Sequence, residues 1–340
     1  MVLICGQFKV MIVVTGASGF IASCLVTRLN ADRFVDLILV DDFKSLSKHP
    51  NHERTGKNFQ GKQYKQLVDR TEFPEWLREN ENQVDFVFHI GARTDTTEFD
   101  YEIFRELNLD YSKQIWNICA EYAIPLVYAS SAATYGNGEF GYRDDHDLCS
   151  QLKPLNPYGE SKNDFDIWAL QQKEAPFFWA GLKFFNVYGP NEYHKERMAS
   201  VIFHAYRQIS QNGKMKLFRS HRADYTDGGQ MRDFIYVKDA CSGIVSLLHG
   251  LLKDRLESGA YNICTGRETT VKEFCQTAAR LMDADRTLLN LGALPLRPDE
   301  YKMVVGDPHL IQRKTEWKPE FSVENGIIEV LKYYNLDPKG

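Results

Sequence analysis

The sequence lacks the usual marks of a metal, disulfide-linked or membrane protein. Its seven cysteines never form a CxxC pair, and its nine histidines never stand as HxxxH or HxH, which argues against a metal site. Scattered cysteines, odd in number, in a chain of 340 residues predict reduced and mostly buried thiols. The short apolar start leads into a strand and a glycine loop rather than a cleavage site, so we predict no signal peptide, no membrane span and a cytoplasmic location.

An excess of basic charge is also missing. The chain holds 41 lysines and arginines against 46 aspartates and glutamates, a formal net charge of −5. General nucleic-acid-binding proteins usually carry a basic excess, so we predict no nucleic-acid partner. A small anionic ligand stays open, because a local pocket can be positive on an acidic protein.

The first half of the chain alternates short apolar runs with longer amphipathic stretches. Buried strands are predicted at residues 11–15, 37–40, 86–89, 126–129 and 179–184. Helical patterns separate several of them, for example at 21–29 and 103–122. Strands separated by helices predict an α/β fold, in which a doubly wound parallel sheet of the Rossmann type is covered on both faces.

A glycine-rich turn, TGASGFIA, follows the first predicted strand and opens the first helix. Gly16 permits a tight turn, and Gly19 lets the backbone approach a pyrophosphate, which would then lie on the free amides of the helix N-terminus. About 20 residues further on, the second strand runs into Asp41 and Asp42, where an acidic side chain normally binds the adenosine ribose. This order of strand, loop, helix and acid predicts a nicotinamide dinucleotide cofactor rather than a purely structural turn.

The residues alone leave the choice between NAD and NADP open. Asp41 and Asp42 favour the free ribose hydroxyl of NAD. Lys44 and Lys48 lie just beyond them and are placed to pair with the 2′-phosphate of NADP.

After about residue 190 the pattern becomes less regular, with further helical stretches at 237–252, 271–281 and 323–334. We therefore predict an NAD(P)-binding Rossmann domain at residues 11–190. Residues 191–340 are predicted to form a smaller C-terminal substrate-binding region, with some segments returning to the Rossmann sheet.

Three polar side chains follow the glycine loop in the order expected of a catalytic site. Tyr158 and Lys162 form a YxxxK pair on a predicted helix, one turn apart on the same face. A nearby ammonium is expected to lower the pKa of a phenol and make it a usable base. Ser131 follows a buried strand, at the sheet edge where ligands bind. A single YxxxK pair is common by chance, but the three signals together are much more specific.

The motifs TGxxGFI, SSAATYG, YGxSK and RDFIYV resemble those of the extended short-chain dehydrogenase/reductases, the NAD-dependent epimerase/dehydratases. Within that group the chain is similar to the ADP-L-glycero-D-manno-heptose 6-epimerase family over residues 11–239. The most specific stretches are GLKFFNVYGPNEYHKERMASV at 181–201, KLFRSH at 216–221, and residues 224–237. The resemblance implies an isomerase that acts on a nucleotide-diphosphate sugar in the synthesis of lipopolysaccharide core heptose, and a homo-oligomer.

In that family a bound nicotinamide takes a hydride from C6 of the heptose, and the ketone reorients before the hydride returns to its other face. The resemblance implies that Tyr158 and Lys195 are the two acid/base groups, one for each orientation of the sugar. It implies that Lys162 holds the nicotinamide ribose and that Ser131 supports the reacting oxygen. The family usually prefers NADP, and Lys48 together with Arg70 then favours NADP, with NAD as the alternative.

Further binding residues are implied by position. For the cofactor they are Gly16, Gly19, Phe20, Ile21, Asp41, Asp42, Lys48, Arg70, Ile90, Gly91, Ala92, Arg93, Thr94, Asn108, Tyr158 and Lys162. For the sugar and its diphosphate they are Asn186, Val187, Arg197, His204, Phe218, Arg219, Ser220, His221 and Arg232. His204 lies in an apolar helical run, so packing in the core is an equal alternative for it. Arg232 has the alternative of a structural ion pair with Asp233.

The last hundred residues depart from the heptose-epimerase pattern. The segment LPLRPDEY at 294–301 is typical of other nucleotide-sugar epimerases and dehydratases. It predicts that Arg297 binds the diphosphate and places Tyr301 near the substrate. Arg197 also stands where the heptose family has a small residue.

Two other functions therefore stay open. The first is a different nucleotide-sugar epimerase, such as a C4 epimerase of a UDP- or GDP-hexose. A dehydratase is less favoured, because Ala132, Ala133 and Thr134 occupy the place of its usual acidic pair. The second is a non-catalytic cofactor-binding protein, which would not require Ser131, Tyr158 and Lys162 together.

Overall fold

The structure is a computed structural model that describes residues 10–46, 56–220, 225–251, 256–284, 289–294 and 302–336. Within these ranges, seven strands pair in parallel in the order β11-β6-β5-β4-β1-β2-β3. The strands of this sheet are β1 (Ile12–Thr15), β2 (Leu37–Asp41), β3 (Gln66–Asp69), β4 (Phe86–His89), β5 (Leu126–Ser131), β6 (Trp179–Phe184) and β11 (Gly259–Ile263). The chain runs outward from β1 through β2 and β3, and then returns to β4 on the other side of β1. The crevice beyond the ends of β1 and β4 is therefore the expected ligand site of such a sheet.

All five predicted strands are present in this sheet, which confirms the predicted Rossmann fold. The edge strands β3 and β11 were not predicted. Strand β3 reads QLVD and exposes its first two residues, and β11 reads GAYNI, so neither shows a clear apolar run. Edge strands of this kind give a weak sequence signal, because one side of each lacks a neighbour and the apolar pattern is short.

The helical stretches predicted at 21–29, 237–252, 271–281 and 323–334 are present, and the structure adds helices that were not predicted, such as Phe73–Glu79 and His309–Thr315. The helices are α1 (Phe20–Ala31), α2 (Phe43–Leu46), α3 (Phe73–Glu79), α4 (Tyr101–Phe104), α5 (Tyr111–Glu121), α6 (Pro157–Leu170), α7 (Val201–Asn212), α8 (Val237–Leu251), α9 (Val271–Leu281), α10 (His309–Thr315) and α11 (Val323–Leu336). The predicted helix at 103–122 is interrupted by a π-helical segment, Arg105–Asp110. Such a segment re-aims the side chains that follow it and is frequent at functional sites.

Alternate residues of the central strand face opposite layers of the core. Ile12 and Val14 of β1 pack on the side covered by α1 and α8, whereas Val13 packs on the side covered by α3, α5 and α6. Full burial of such a side chain stabilises the fold by roughly 1.5–3 kcal/mol. Both faces are covered, so the sequence of β1 is apolar throughout rather than alternating.

Helix α6 begins where its sequence predicts. Asn156 is its N-cap, and the Asn156 side chain accepts a hydrogen bond from the Gly159 amide at 2.8 Å. Pro157 takes the first helical position, where its missing N–H costs nothing. These two residues place Tyr158 in the first turn of the helix, next to the end of β5.

Shorter strands beyond residue 185 pair outside the large sheet. Strand β7 (Asn186–Tyr188) pairs with β10 (Phe234–Tyr236), β9 (Met231–Arg232) pairs with β12 (Thr269–Thr270) and β14 (Met303–Val304), and β8 (Met215–Phe218) pairs with β13 (Leu289–Leu294). The division of the chain at residue 190 stays a prediction. Across the described ranges, no helix has the length and apolar character that crossing a membrane requires.

Candidate active site

The glycine turn and the loop after β4 meet backbone to backbone. Gly16 has φ +66°, and a Cβ placed on it would lie 2.5 Å from the Cα of Gly91. Gly19 is the N-cap of α1 and makes no side-chain cap, so the first amides of α1 keep their capacity to donate. This cradle of glycine backbone at a helix N-terminus fits a pyrophosphate, as the sequence predicted.

The two aspartates at the end of β2, Asp41 and Asp42, bind different partners. One carboxylate oxygen of Asp41 accepts hydrogen bonds from the Ser18 amide at 2.8 Å and from the Ser18 hydroxyl at 2.5 Å. Asp41 therefore anchors the glycine turn. Asp42 instead pairs with Arg70, whose guanidinium nitrogen lies 3.3 Å from the carboxylate and whose side chain also lies over the ring of Tyr111. Arg70 is thus beside the acidic residues, at the place where a ribose 2′-substituent is expected.

Asn108 connects the loop after β4 to the catalytic helix. It lies in the π-helical segment and is 1% exposed. Its carbonyl oxygen accepts from the Arg93 amide at 2.8 Å, and its amide group donates to the Arg93 carbonyl at 3.0 Å and to the Ser161 hydroxyl at 3.1 Å. Asn108 therefore shapes the cofactor loop through its own hydrogen bonds.

Other implied cofactor residues surround this loop and the start of α1. Phe20 is buried, Ile21, Ile90, Gly91 and Ala92 are half-buried, and Arg93 and Thr94 are exposed. Lys48 lies outside the described residues.

Ser131, Tyr158 and Lys162 come together at the carboxyl end of β5. Ser131 is the last residue of the strand, and its hydroxyl is near enough to the Tyr158 phenol to lower the pKa of that phenol. One turn along α6, the Lys162 ammonium donates to the carbonyl of Ala129 at 2.7 Å. The Lys162 bond joins helix to strand one turn from the phenol, and the three predicted side chains lie at the same end of β5.

Burial controls the protonation of this group. It raises the pKa of the Tyr158 phenol above its ordinary value, although the Ser131 hydroxyl lowers it. The pKa of the Tyr158 phenol is therefore not lowered as expected in the protein alone, because burial raises it and the group that opposes the shift is Ser131 rather than Lys162. Burial also lowers the pKa of Lys162 to about 8, and the Asp166 carboxylate acts against that shift.

Lys195 lies beside the cofactor cradle. It precedes a 3₁₀ turn, Glu196–Met198, and its ammonium lies 5.4 Å from the centre of the Phe20 ring at the start of α1. Burial lowers the pKa of Lys195, whereas the neighbouring Glu192 carboxylate raises it. Glu192 is held in turn by the Ser200 amide and hydroxyl, both at 2.6 Å. A lysine with a lowered pKa next to the cofactor site suits proton transfer.

Arg197 and His204 belong to the same neighbourhood. Arg197 forms an ion pair with Asp95 at 2.8 Å, which links the turn after Lys195 to the loop after β4. His204 is half-buried, and its Nε2 atom lies 3.4 Å from the Arg197 carbonyl oxygen. The His204 side chain therefore lies at the lysine turn and not in the centre of the core.

Arg232 is 6% exposed, and its guanidinium donates to the Met231 carbonyl at 2.7 Å. The Asp233 carboxylate accepts from the Thr265 amide and hydroxyl, both at 2.8 Å, and from the Gly266 amide at 2.8 Å. Asp233 thus has a structural role of its own in the loop after β11. Burial raises the pKa of Tyr142, and the charge of Arg232 acts against that shift, so the guanidinium is close to that phenol.

The remaining implied substrate residues lie on the shorter strands. Asn186 is exposed at the start of β7, and Val187 next to it is half-buried. Arg219 is exposed, and the Ser220 amide donates to the Asp227 carboxylate at 2.7 Å. The side chain of Phe218 and the residues His221, Arg297 and Tyr301 lie outside the described residues.

Sequence reasoning missed several polar residues that the fold places behind the site. His89, at the end of β4, lies between the hydroxyls of Thr15 at 2.9 Å and Ser112 at 3.0 Å, and burial lowers its pKa to about 3. Asp166 and Lys183 form an ion pair at 2.6 Å in which each side chain is 1% exposed. A signal for this pair was present, since Lys183 is the single charge in the apolar strand WAGLKF.

Neither a metal site nor a disulfide bond is found among the residues that the structure describes. No group of three or more histidine, cysteine or acidic side chains there is arranged to hold a metal ion. The six cysteines in those ranges are free thiols.

The fold and these residues define a class of protein. The model of the NAD dependent epimerase/dehydratase family matches residues 12–264, and the chain belongs to that family. Among its relatives is the ADP-L-glycero-D-manno-heptose-6-epimerase of Fusobacterium nucleatum, which is 43% identical over 274 residues, 79% of each protein.

Two solved structures show the same fold. The Helicobacter pylori ADP-L-glycero-D-manno-heptose-6-epimerase superposes with a TM-score of 0.77 at 23% identity and covers 96% of each chain. The Thermotoga maritima UDP-glucose 4-epimerase, solved with UDP-glucose, gives a TM-score of 0.78 at 20% identity, covering 97% of this chain and all of the other. At these identities the similarity establishes the fold and not the sugar.

Proposed function

We propose that this chain is an ADP-glyceromanno-heptose 6-epimerase, which inverts C6 of the heptose and leaves the cofactor unchanged overall. One arrangement supports the proposal: Ser131, Tyr158 and Lys162 meet at the carboxyl end of β5, and a second lysine, Lys195, lies over Phe20 at the start of α1. The 43% identity to a heptose 6-epimerase supports the choice of sugar.

When bound, the cofactor would supply a nicotinamide ring for transient hydride transfer at C6. The chain supplies the proton transfers. In one orientation Tyr158 would take the proton of the C6 hydroxyl, while Ser131 hydrogen-bonds the same oxygen and Lys162 stabilises the phenolate form of Tyr158. In the other orientation Lys195 would give a proton to that oxygen. Tyr158 then releases its proton to water and Lys195 takes one up from water, so both groups return to their starting states and protons balance over the cycle.

We propose NADP as the cofactor, with NAD as the alternative. Arg70 supports NADP, because its guanidinium lies next to the ribose-binding acids and is suited to a phosphate. Asp42 argues against NADP, since the Arg70 guanidinium already forms an ion pair with the Asp42 carboxylate. Release of the bound cofactor from the purified protein and its identification by mass spectrometry decide between them. A protein that carries only NAD would refute the choice of NADP.

The sugar is tested by turnover. Purified protein is incubated with ADP-L-glycero-D-manno-heptose, UDP-glucose and a GDP-hexose, and the epimers are separated by chromatography. The proposal expects turnover of the ADP-heptose alone. A second candidate, a C4 epimerase, is favoured only by the sequence of residues 294–301, and inversion of UDP-glucose would establish it. Bound cofactor with no turnover of any of the three sugars would favour a non-catalytic role.

The wider implications of the resemblance are proposals as well. We propose that the enzyme serves lipopolysaccharide core synthesis in the cytoplasm and acts as a homo-oligomer. Light scattering of the purified protein measures its assembly, and a monomer at micromolar concentration would contradict that part of the proposal.

A further inference from the structure

Behind the catalytic group lies a buried network centred on Asp166. One carboxylate oxygen accepts from the Tyr128 hydroxyl at 3.0 Å. The other accepts from the Ser130 hydroxyl at 2.7 Å and from the Lys183 ammonium at 2.6 Å. Lys183 also donates to the Thr134 hydroxyl at 2.8 Å and lies over the ring of Tyr135. The ion pair of Asp166 and Lys183 has been withdrawn almost completely from solvent.

Stability alone is a poor reason for such a pair. Two charges lose their hydration when they are buried, and their attraction often only repays that loss. Apolar side chains of similar volume frequently stabilise a core equally well or better. The network is also tightly packed, because a Cβ on Gly181 would lie 2.4 Å from the Tyr128 hydroxyl oxygen.

The network touches the catalytic group from three directions. On α6, the residues Tyr158, Lys162 and Asp166 follow one another at intervals of four and so share one face. On β5, Ser130 immediately precedes Ser131 and is bound by Asp166. Beyond β5, the Thr134 hydroxyl donates to the Ser131 carbonyl at 2.8 Å, and Lys183 binds that same hydroxyl.

Ser131 is thus bracketed by two residues that the buried pair holds. Three side-chain bonds join the helix to the strand: one from Lys162 to Ala129, and two to Asp166, from Ser130 and from Tyr128. Loss of the Asp166 bonds leaves the end of β5 free to shift relative to the Tyr158 phenol. Small displacements of this kind reduce turnover more than binding, since the reacting geometry is stricter than the bound one.

We propose that Asp166 and Lys183 are positioning residues for the epimerisation, which hold Ser131 and Lys162 in register with Tyr158. Each side chain is 1% exposed, so the pair acts through the residues it holds rather than by contact with a ligand. This inference rests on the proposed function only in that the site is catalytic. It does not depend on which sugar is bound.

The test uses the full-length enzyme with its cofactor. Wild type is first assayed on the ADP-heptose, UDP-glucose and the GDP-hexose, and the sugar that it turns over is used for all variants. If the proposed sugar is wrong, wild type turns over a different one of the three. If the proposed role of the pair is wrong, the variants keep the kcat of wild type on whichever sugar is used. The variants are Lys183→Arg, which keeps the charge, and Asp166→Asn combined with Lys183→Met, which removes both charges of the pair together.

The proposal predicts that the double variant stays folded and binds cofactor, while its kcat falls at least about 10-fold and its KM stays within about 3-fold of wild type. The Lys183→Arg variant is expected to recover kcat to within about 3-fold of wild type. Asp239→Asn is the control, since Asp239 is a buried carboxylate that accepts from the amides of Glu320 and Phe321 away from the site.

That control is expected to lower the unfolding temperature without lowering kcat. Two results would overturn the proposal. One is a double variant with the kcat of wild type. The other is a loss of kcat in the control that matches the double variant at equal loss of stability, since the pair would then be structural only.

Discussion

The two groups proposed as acid/base residues, Tyr158 and Lys195, are held in different ways. Tyr158 stands in the first turn of a 14-residue helix, against the end of a strand in the central sheet. Lys195 precedes a three-residue 3₁₀ turn whose first residue, Glu196, has φ +46°. The first group is placed by regular backbone, and the second by the nearby Glu192 carboxylate, the ring of Phe20 and the ion pair of Arg197.

This difference has consequences for the reaction. Epimerisation needs proton transfer in both orientations of the sugar, so the slower half sets the rate. Regular elements resist change, whereas a short turn held by side chains responds to each contact that is removed. The two halves of the reaction should therefore differ in how sensitive they are to substitutions around the base.

The largest effect is expected for Tyr158→Phe, which removes the phenol and keeps the ring. Loss of a general acid/base lowers kcat by about 10²–10⁴-fold, while cofactor content stays normal. Steady-state kinetics on the ADP-heptose measure it. Tyr101→Phe is the matched control, since Tyr101 donates to Asp164 on the same helix and should leave kcat nearly unchanged. Comparable rates in Tyr158→Phe and wild type would remove the tyrosine from the mechanism.

The next effect is expected for Lys195→Met. Removing the second base should reduce kcat by about 10²-fold with the cofactor still bound. Lys57→Met serves as its control, because Lys57 is a neighbouring lysine whose ammonium lies over the Tyr193 ring. If both lysine variants lose activity equally, the site needs positive charge in general and Lys195 is not the second base.

Cofactor binding should respond to Gly16→Ala. The residue has φ +66°, and a new Cβ would meet the backbone of Gly91, so we expect cofactor affinity to fall about 10-fold and stability to fall by about 1–3 kcal/mol. Gly61→Ala has a similar φ, +71°, but open space around it. Gly61→Ala should therefore lower stability without lowering the affinity for the cofactor. Titration of the fluorescence of reduced cofactor distinguishes the two.

The pH profile tests the charge on Lys162, which faces Tyr158 and Asp166 on its own helix and the neutral His89 on β4. Burial lowers the Lys162 pKa to about 8, so kcat should fall about 10-fold per pH unit above that value as the ammonium is lost. The unfolded chain keeps this proton up to the ordinary lysine pKa. Between these two pH values this group's contribution to stability therefore increases with pH. A rate that stays flat well above pH 8 would contradict the need for the charged form.

The smallest effect is expected at the ion pair of Arg197 and Asp95, in which Arg197 is largely exposed. Exposed pairs contribute about 0–1 kcal/mol, so Arg197→Ala should lower kcat only a few-fold. The charge reversal Asp95→Arg with Arg197→Asp should restore part of it. Raising the salt concentration should reproduce the loss in wild type and not in Arg197→Ala. Equal salt dependence of both proteins would exclude the pair as the cause.

The sequence predicted best what depends on local pattern. The glycine turn, the YxxxK pair and Ser131 each lie at the end of a strand or the start of a helix, where spacing determines position. It did not predict contacts between distant residues. Arg197 and Asp95 are 102 positions apart, and Lys183 reaches Asp166 from a different element.

Protonation and helix type were harder to predict from the sequence than the positions of the residues. The pKa of Tyr158 depends on how completely the fold removes water from the phenol, which no spacing of residues reveals. The π-helical segment around Asn108 likewise results from packing against the cofactor loop and α6, because its local sequence, RELNLD, fits an ordinary helix. Tyr158 and Lys162 were therefore found from sequence, but their protonation was not.

The central claim is that Tyr158 and Lys195 serve opposite configurations at C6. The direct measurement is a single-turnover experiment, in which each pure C6 epimer is mixed with Tyr158→Phe or Lys195→Met and the near-ultraviolet absorbance of reduced nicotinamide is followed. We predict that each variant reduces its cofactor with one epimer only, and that the two variants choose opposite epimers. Reduction of the cofactor by the same epimer in both variants would contradict the claim.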